Sequence, residues 1–137
     1  MRVRVECASE IESDKLNVAI RIRNKEGIKI YSWGTLNQDM QILAGLKTGP
    51  LFWHRHFKSG ERFEVWLECE CTLGTNLYEI QAAVSYEAKP DYSQQRMLHW
   101  IDEAAFFQVL MRHDQYFFGG VADLQMQARW GGGVVNC

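Results

Sequence analysis

Between Leu16 and Arg23 the chain alternates with a period of two. Leu16, Val18, Ile20 and Ile22 face one way, and Asn17, Arg21 and Arg23 face the other. Successive strand residues point to opposite sides, so this pattern describes a half-buried β-strand and excludes a surface helix, whose apolar residues recur every three or four positions. Asn24-Lys25-Glu26-Gly27 follows, a turn with glycine where φ can be positive. A second strand then sets Ile28, Ile30 and Ser32 against Lys29, Tyr31 and Trp33. The pair predicts a hairpin.

The same period recurs along the chain. Val3, Val5 and Cys7 alternate with Arg2, Arg4 and Glu6. Phe63, Val65, Leu67, Cys69 and Cys71 alternate with Glu64, Trp66, Glu68 and Glu70. Tyr78, Ile80, Ala82 and Val84 alternate with Glu79, Gln81, Ala83 and Ser85. Met97 to Ile101 and Ala105 to Leu110 read as two more short strands around Asp102-Glu103, and Leu124 to Trp130 as a last one. Gln38 to Leu46 reads equally as one short helix or a loop. The expectation is an all-β chain of about eight short strands, a sandwich or a barrel.

At 137 residues the chain has the size of one domain and needs neither disulfide nor metal to hold a core. Its 15 Lys and Arg against 17 Asp and Glu argue against a nucleic-acid binder, which presents a basic surface. No apolar run reaches the roughly 18 residues of a membrane span, and the charged, alternating start is not a signal peptide. Cys7, Cys69, Cys71 and Cys137 do not have the spacing of a small secreted framework and are read as buried free thiols in a reducing cytosol. Residues 1–130 are read as the domain and 131–137, with three consecutive glycines, as a flexible tail.

No phosphate-loop, dinucleotide, nucleophile-elbow or zinc-protease motif occurs. His54 and His56 lack a fixed third ligand; no metal and no cofactor is expected. Glu64, Glu68 and Glu70 could in principle pair for glycoside hydrolysis, but at period two they read first as a solvated strand face. Trp66 stands among them, and Tyr31 and Trp33 lie by parity on the polar side of their strand. A sheet face carrying flat rings beside planar polar groups suits a carbohydrate: rings pack on the C–H faces of sugars, and amides, guanidinia and carboxylates bind hydroxyls. The competing reading buries these rings under a loop or a partner subunit.

Gly27-Ile28-Lys29-Ile30-Tyr31-Ser32-Trp33-Gly34-Thr35-Leu36-Asn37, the stretch Phe63 to Val84, the run Ile101 to Val109 and Gly120-Val121 resemble, in this order, segments of one family. It is the C-terminal carbohydrate-binding domain of the ATPase subunit of O-antigen ABC transporters, Wzt type. The resemblance spans about residues 3 to 130. It implies an immunoglobulin-like antiparallel β-sandwich and a homodimer in which a C-terminal strand is exchanged. It also implies recognition of the modified, non-reducing end of a polysaccharide before export, without catalysis. The implied partners are an upstream ATPase domain, which nothing in this chain resembles, and the transporter's membrane subunit; the implied location is cytoplasmic, at the inner face of the membrane. Strand parity selects Tyr31, Trp33, Trp66 and Gln81 as a stacking and hydrogen-bonding surface on one sheet, with Arg21, Arg23, Glu64, Glu68 and His99 at its edges. One shallow face predicts a dissociation constant on the order of 10 μM to 1 mM. The alternative function is a structural, oligomerising sandwich whose aromatics are buried between subunits.

Overall fold

The structure is a computed structural model that describes residues 1–8 and 10–131. Six strands form two antiparallel sheets. They are β1 (Arg2–Ala8), β2 (Leu16–Asn24), β3 (Lys29–Gly34), β4 (Arg62–Glu68), β5 (Asn76–Glu87) and β6 (Gln95–Val109). β1 pairs with β4 in a narrow sheet, and a wide sheet runs β3-β2-β5-β6. One helix, α1 (Thr35–Leu43), follows β3 directly.

The apolar halves of the alternating strands meet between the sheets. Leu16, Val18, Ile20 and Ile22 of β2 pack with Phe63, Val65 and Leu67 of β4, with Tyr78 and Ile80 of β5, and with Phe57. Phe57 stacks on Phe63 at 4.1 Å between ring centroids and is completely buried. The aromatic stretch 51–57 is therefore core at its end. Burying such side chains contributes roughly 1.5–3 kcal/mol each.

The fold departs from the expected strand list in three places. Eight strands become six: the two segments around Asp102-Glu103 are one strand, β6, which carries three residues opposite Gln81 alone, with Glu103 at φ 49°. The ladder absorbs these extra residues as a bulge, so the turn-like pair does not end the strand. Leu124 to Trp130 forms no strand in this chain, although Leu73 bridges Ala122 just before it. β4 stops at Glu68, which leaves Cys69 and Cys71 exposed free thiols and not buried ones; Cys7 is half-buried. Cys137 and residues 132–136 of the expected tail lie outside the described residues.

α1 forms because the chain turns sharply after β3. The Asn37 side chain accepts the Gly34 N–H at 3.0 Å at the helix start, and the Asp39 carboxylate accepts the N–H groups of Phe52 and Trp53 at 2.9 and 3.0 Å. Asp39 is thus the clasp between α1 and the turn at Phe52–His54. Burial raises its pKa despite those two bonds.

Candidate functional site

The outer face of the wide sheet holds a depression made by missing side chains. Gly34 lies opposite Ala19, Ala19 opposite Ala83, and Ala83 opposite Trp100, so one cross-strand row holds three of the smallest residues and ends on an indole. Gly34 is required here: a Cβ would sit 2.8 Å from the Ala19 methyl.

Polar residues rise on both sides of this row. On one side Ser32, Arg21 and Gln81 are cross-strand partners; on the other Asn17, Ser85 and Met97 are. Asn37, Tyr92 and Gln95 close one end, and the enclosed volume is about 250 Å³. That lies just under the roughly 300–1,000 Å³ of small-molecule pockets.

The polar groups are held in fixed orientations. The Gln81 amide donates to Asp102 Oδ1, which also accepts the Trp100 indole N–H at 2.8 Å. Those two bonds, led by the indole, hold the Asp102 pKa down. Gln81 is 3% exposed, and its Oε1 has no partner. The Arg21 guanidinium rests over the Trp100 ring at 4.8 Å and joins no ion pair among the described residues. Asn17 is 1% exposed; its Oδ1 accepts the Leu36 N–H at 3.0 Å, and its Nδ2 faces Ser85 Oγ and the Tyr92 hydroxyl at 3.4 and 3.5 Å. The arrangement offers fixed donors and acceptors around an apolar floor of two methyls, which suits a small polyhydroxylated ring.

Of the nine residues selected from the sequence, Gln81 and Arg21 line this depression. Arg23 lies one row further and is engaged bidentately by Glu79, both contacts at 2.8 Å. The other six lie elsewhere, which corrects the single-sheet surface. Trp33 pairs with Ile20 and Tyr31 with Ile22, so both belong to the core side of β3; Trp33 is half-buried against the core and Tyr31 is exposed at the edge. Parity misassigned them because the register shifts between Ile22 and Arg23, and a bulge exchanges the two faces.

Trp66, Glu64 and Glu68 stand on the outer face of the narrow sheet. Trp66 is 52% exposed, between the guanidinia of Arg2 and Arg4, each 5.8 Å from its ring. Arg2 pairs with Glu68 at 2.8 Å and Arg4 lies 3.9 Å from Glu64, exposed pairs that contribute little to stability. His99 pairs with Val84 and faces inward, into an open cleft of about 540 Å³ between β1 and β6 lined by Val5, Leu16, Phe63 and Ile101 among others. This larger cleft is mostly apolar, a gap left because two strands cover four. His56 Nε2 meets Glu12 Oε1 at 2.6 Å.

Sequence reading missed Asn17, Ser85, Tyr92, Gln95 and Trp100. Small residues at 19, 34 and 83 were the available signal, once three strands are aligned in register.

The sequence profile of the Wzt C-terminal domain family matches residues 1–124. The chain belongs to the Wzt C-terminal domain family. A crystal structure of the C-terminal domain of Wzt superposes with a TM-score of 0.72 at 16% identity, covering 93% of this chain and 68% of that one. This likeness supports the shared sandwich fold. No curated protein matches the sequence. Family membership supports a non-catalytic, substrate-binding domain of an O-antigen ABC transporter. Among the described residues no helix is long and apolar enough to cross a membrane.

Proposed function

We propose that this domain binds the end of an O-antigen polysaccharide in the depression on the wide sheet, as the substrate-recognition module of an exporter. The carrying observation is the row Gly34–Ala19–Ala83 between two polar ridges. An apolar floor takes the C–H face of a sugar, and Arg21, Ser32 and Gln95 reach its hydroxyls while Gln81 holds Asp102 beside Trp100. The end closed by Asn37 and Tyr92 favours a chain terminus over an internal residue. In the cell the domain would lie at the cytoplasmic face of the membrane, beside the ATPase domain and the membrane subunit.

The domain acts as a homodimer in this reading. The inner face of β6 is left uncovered beside the cleft, and Leu124, Met126 and Trp130 are 79%, 85% and 93% exposed. Single exposed apolar residues are ordinary, but an alternating run of them with no strand partner suits a second copy. Oligomerisation therefore accompanies glycan binding here and does not compete with it.

The test is an amide-shift titration with O-polysaccharides, with and without their terminal modifications, on the wild type and on Ala83→Leu. Leucine at 83 fills the floor without touching the core face. Saturable shifts around Ala19, Gln81 and Tyr92 that vanish in the variant are expected. Equal binding by the variant would remove the site from this face.

A further inference from the structure

The loop joining β5 to β6 crosses the closed end of the depression as a strap, residues 88–94. It is tied at both roots and at its middle. Ala88 N–H donates to Gln94 O at 3.0 Å. Tyr92, at a φ of 63°, donates its hydroxyl to Asn37 Oδ1 at 2.6 Å. Gln95 donates to Glu87 Oε1 at 2.8 Å and faces Ser85 Oγ at 3.4 Å.

Glu87, the residue at the base of the strap, is completely buried, and its Oε2 has no partner. Among the described residues no cation pairs with it. The charged and titratable groups near it are Asp91 and Tyr92 on the strap, Lys89, which acts on Asp91, Asp39 on α1, which acts on Tyr92, and Lys15 before β2. Asp39 is occupied by Phe52 and Trp53, and Asp91 by Ser93. Lys15 offers Glu87 its backbone carbonyl, while its ammonium lies 5.6 Å over the Trp53 ring, whose indole donates to Glu87 O. An ionised carboxylate here would be buried without a counter-ion and beside Asp91, and burial costs it far more than it costs the neutral acid.

We propose that the protonation state of Glu87 controls the strap: the neutral acid holds it closed over the depression, and ionisation opens it. The proton leaves Glu87 for solvent as the strap lifts, and the freed carboxylate becomes hydrated. Burial raises the Glu87 pKa above its ordinary 4.5, the bond from Gln95 and the nearby Ser85 hydroxyl opposing this less strongly. The closed strap is therefore fully favoured below about 4.5. It loses about tenfold in its closing equilibrium per pH unit from there to the raised value, and is constant above it. Lifting the strap removes Tyr92 from the depression. A ligand that needs it would bind more weakly as pH rises. That last consequence rests on the glycan reading; the strap itself does not.

The experiment follows the Ala88 amide in the whole chain by hydrogen exchange between pH 4 and 8, corrected for intrinsic base catalysis, together with the Glu87 carboxyl carbon shift. The wild type should lose protection tenfold per pH unit in step with the Glu87 titration. Glu87→Gln, a neutral isostere of the closed form, should stay protected throughout. Tyr92→Phe, which cuts the far tie, should be weakly protected at every pH. A profile identical in wild type and Glu87→Gln, or a Glu87 carbon that titrates with no change at Ala88, would overturn the proposal. Absence of any glycan binding would remove the pocket reading and leave these outcomes as they stand.

Discussion

Asn17 joins the fold to the depression, and Asn17→Ala measures how much. The side chain is 1% exposed, on β2 under the start of α1. Its Oδ1 takes the Leu36 N–H at 3.0 Å, a donor in the first turn of α1 that has no partner within the helix. The bond to the Thr35 hydroxyl, at 3.4 Å, and the two amide contacts at 3.4 and 3.5 Å are long and count for little. Alanine removes the acceptor and strands a buried N–H, which costs about 1–3 kcal/mol, more than the net worth of an ordinary bond. With a urea slope of about 2 kcal/mol per M, the midpoint falls by about 0.5–1.5 M, and the Tm by roughly 4–10 °C for a chain of this length. Urea unfolding gives the magnitude, and exchange at the Leu36 amide gives its location. A loss below about 0.5 kcal/mol would mean that water or a shifted helix start satisfies the Leu36 N–H, and would refute the view that Asn17 seats α1. A full loss with the Leu36 amide still protected would refute the assignment to that bond.

Two further outcomes follow. Trp66→Ala leaves glycan affinity unchanged and costs about 1 kcal/mol or less in urea unfolding, because the ring is half-exposed and covered only by Arg2 and Arg4; weakened binding would return the site to the narrow sheet. Met126→Asp lowers the sedimentation coefficient to that of a monomer, since an aspartate cannot be buried unpaired between subunits; a variant that still sediments as a dimer would place the interface elsewhere.

The sheets were legible wherever the period of two ran unbroken. β1, β2, β4 and β5 stand where the alternation of Arg2–Ala8, Leu16–Arg23, Phe63–Leu67 and Tyr78–Val84 puts them, because one side of each strand must be buried. The break came where the pleat is interrupted. A bulge between β2 and β3 moved Tyr31 and Trp33 to the other face, and extra residues around Glu103 fused two expected strands into one. Neither follows from alternation, which carries no information on register. The site was half legible: Gln81 and Arg21 were named as polar outward residues of strands. Asn17 was read on the same polar side, yet it is buried, because α1 covers that end of the sheet. Tyr92 and Gln95 belong to a loop whose path across the sheet depends on bonds to Asn37 and Glu87, residues distant in sequence from them or featureless beside them.

The depth of the depression comes from what Gly34, Ala19 and Ala83 lack, not from a loop built around it. Ala19 and Ala83 alternate with Ile20 and Ala82, whose side chains point the other way, so the floor and the sandwich interior share a backbone but not a surface. A larger residue at 19 or 83 would reshape the floor while the packing beneath kept its stability. Related exporters could thus come to read different polymer ends by single changes at these two positions, with no need to refold the module that carries them.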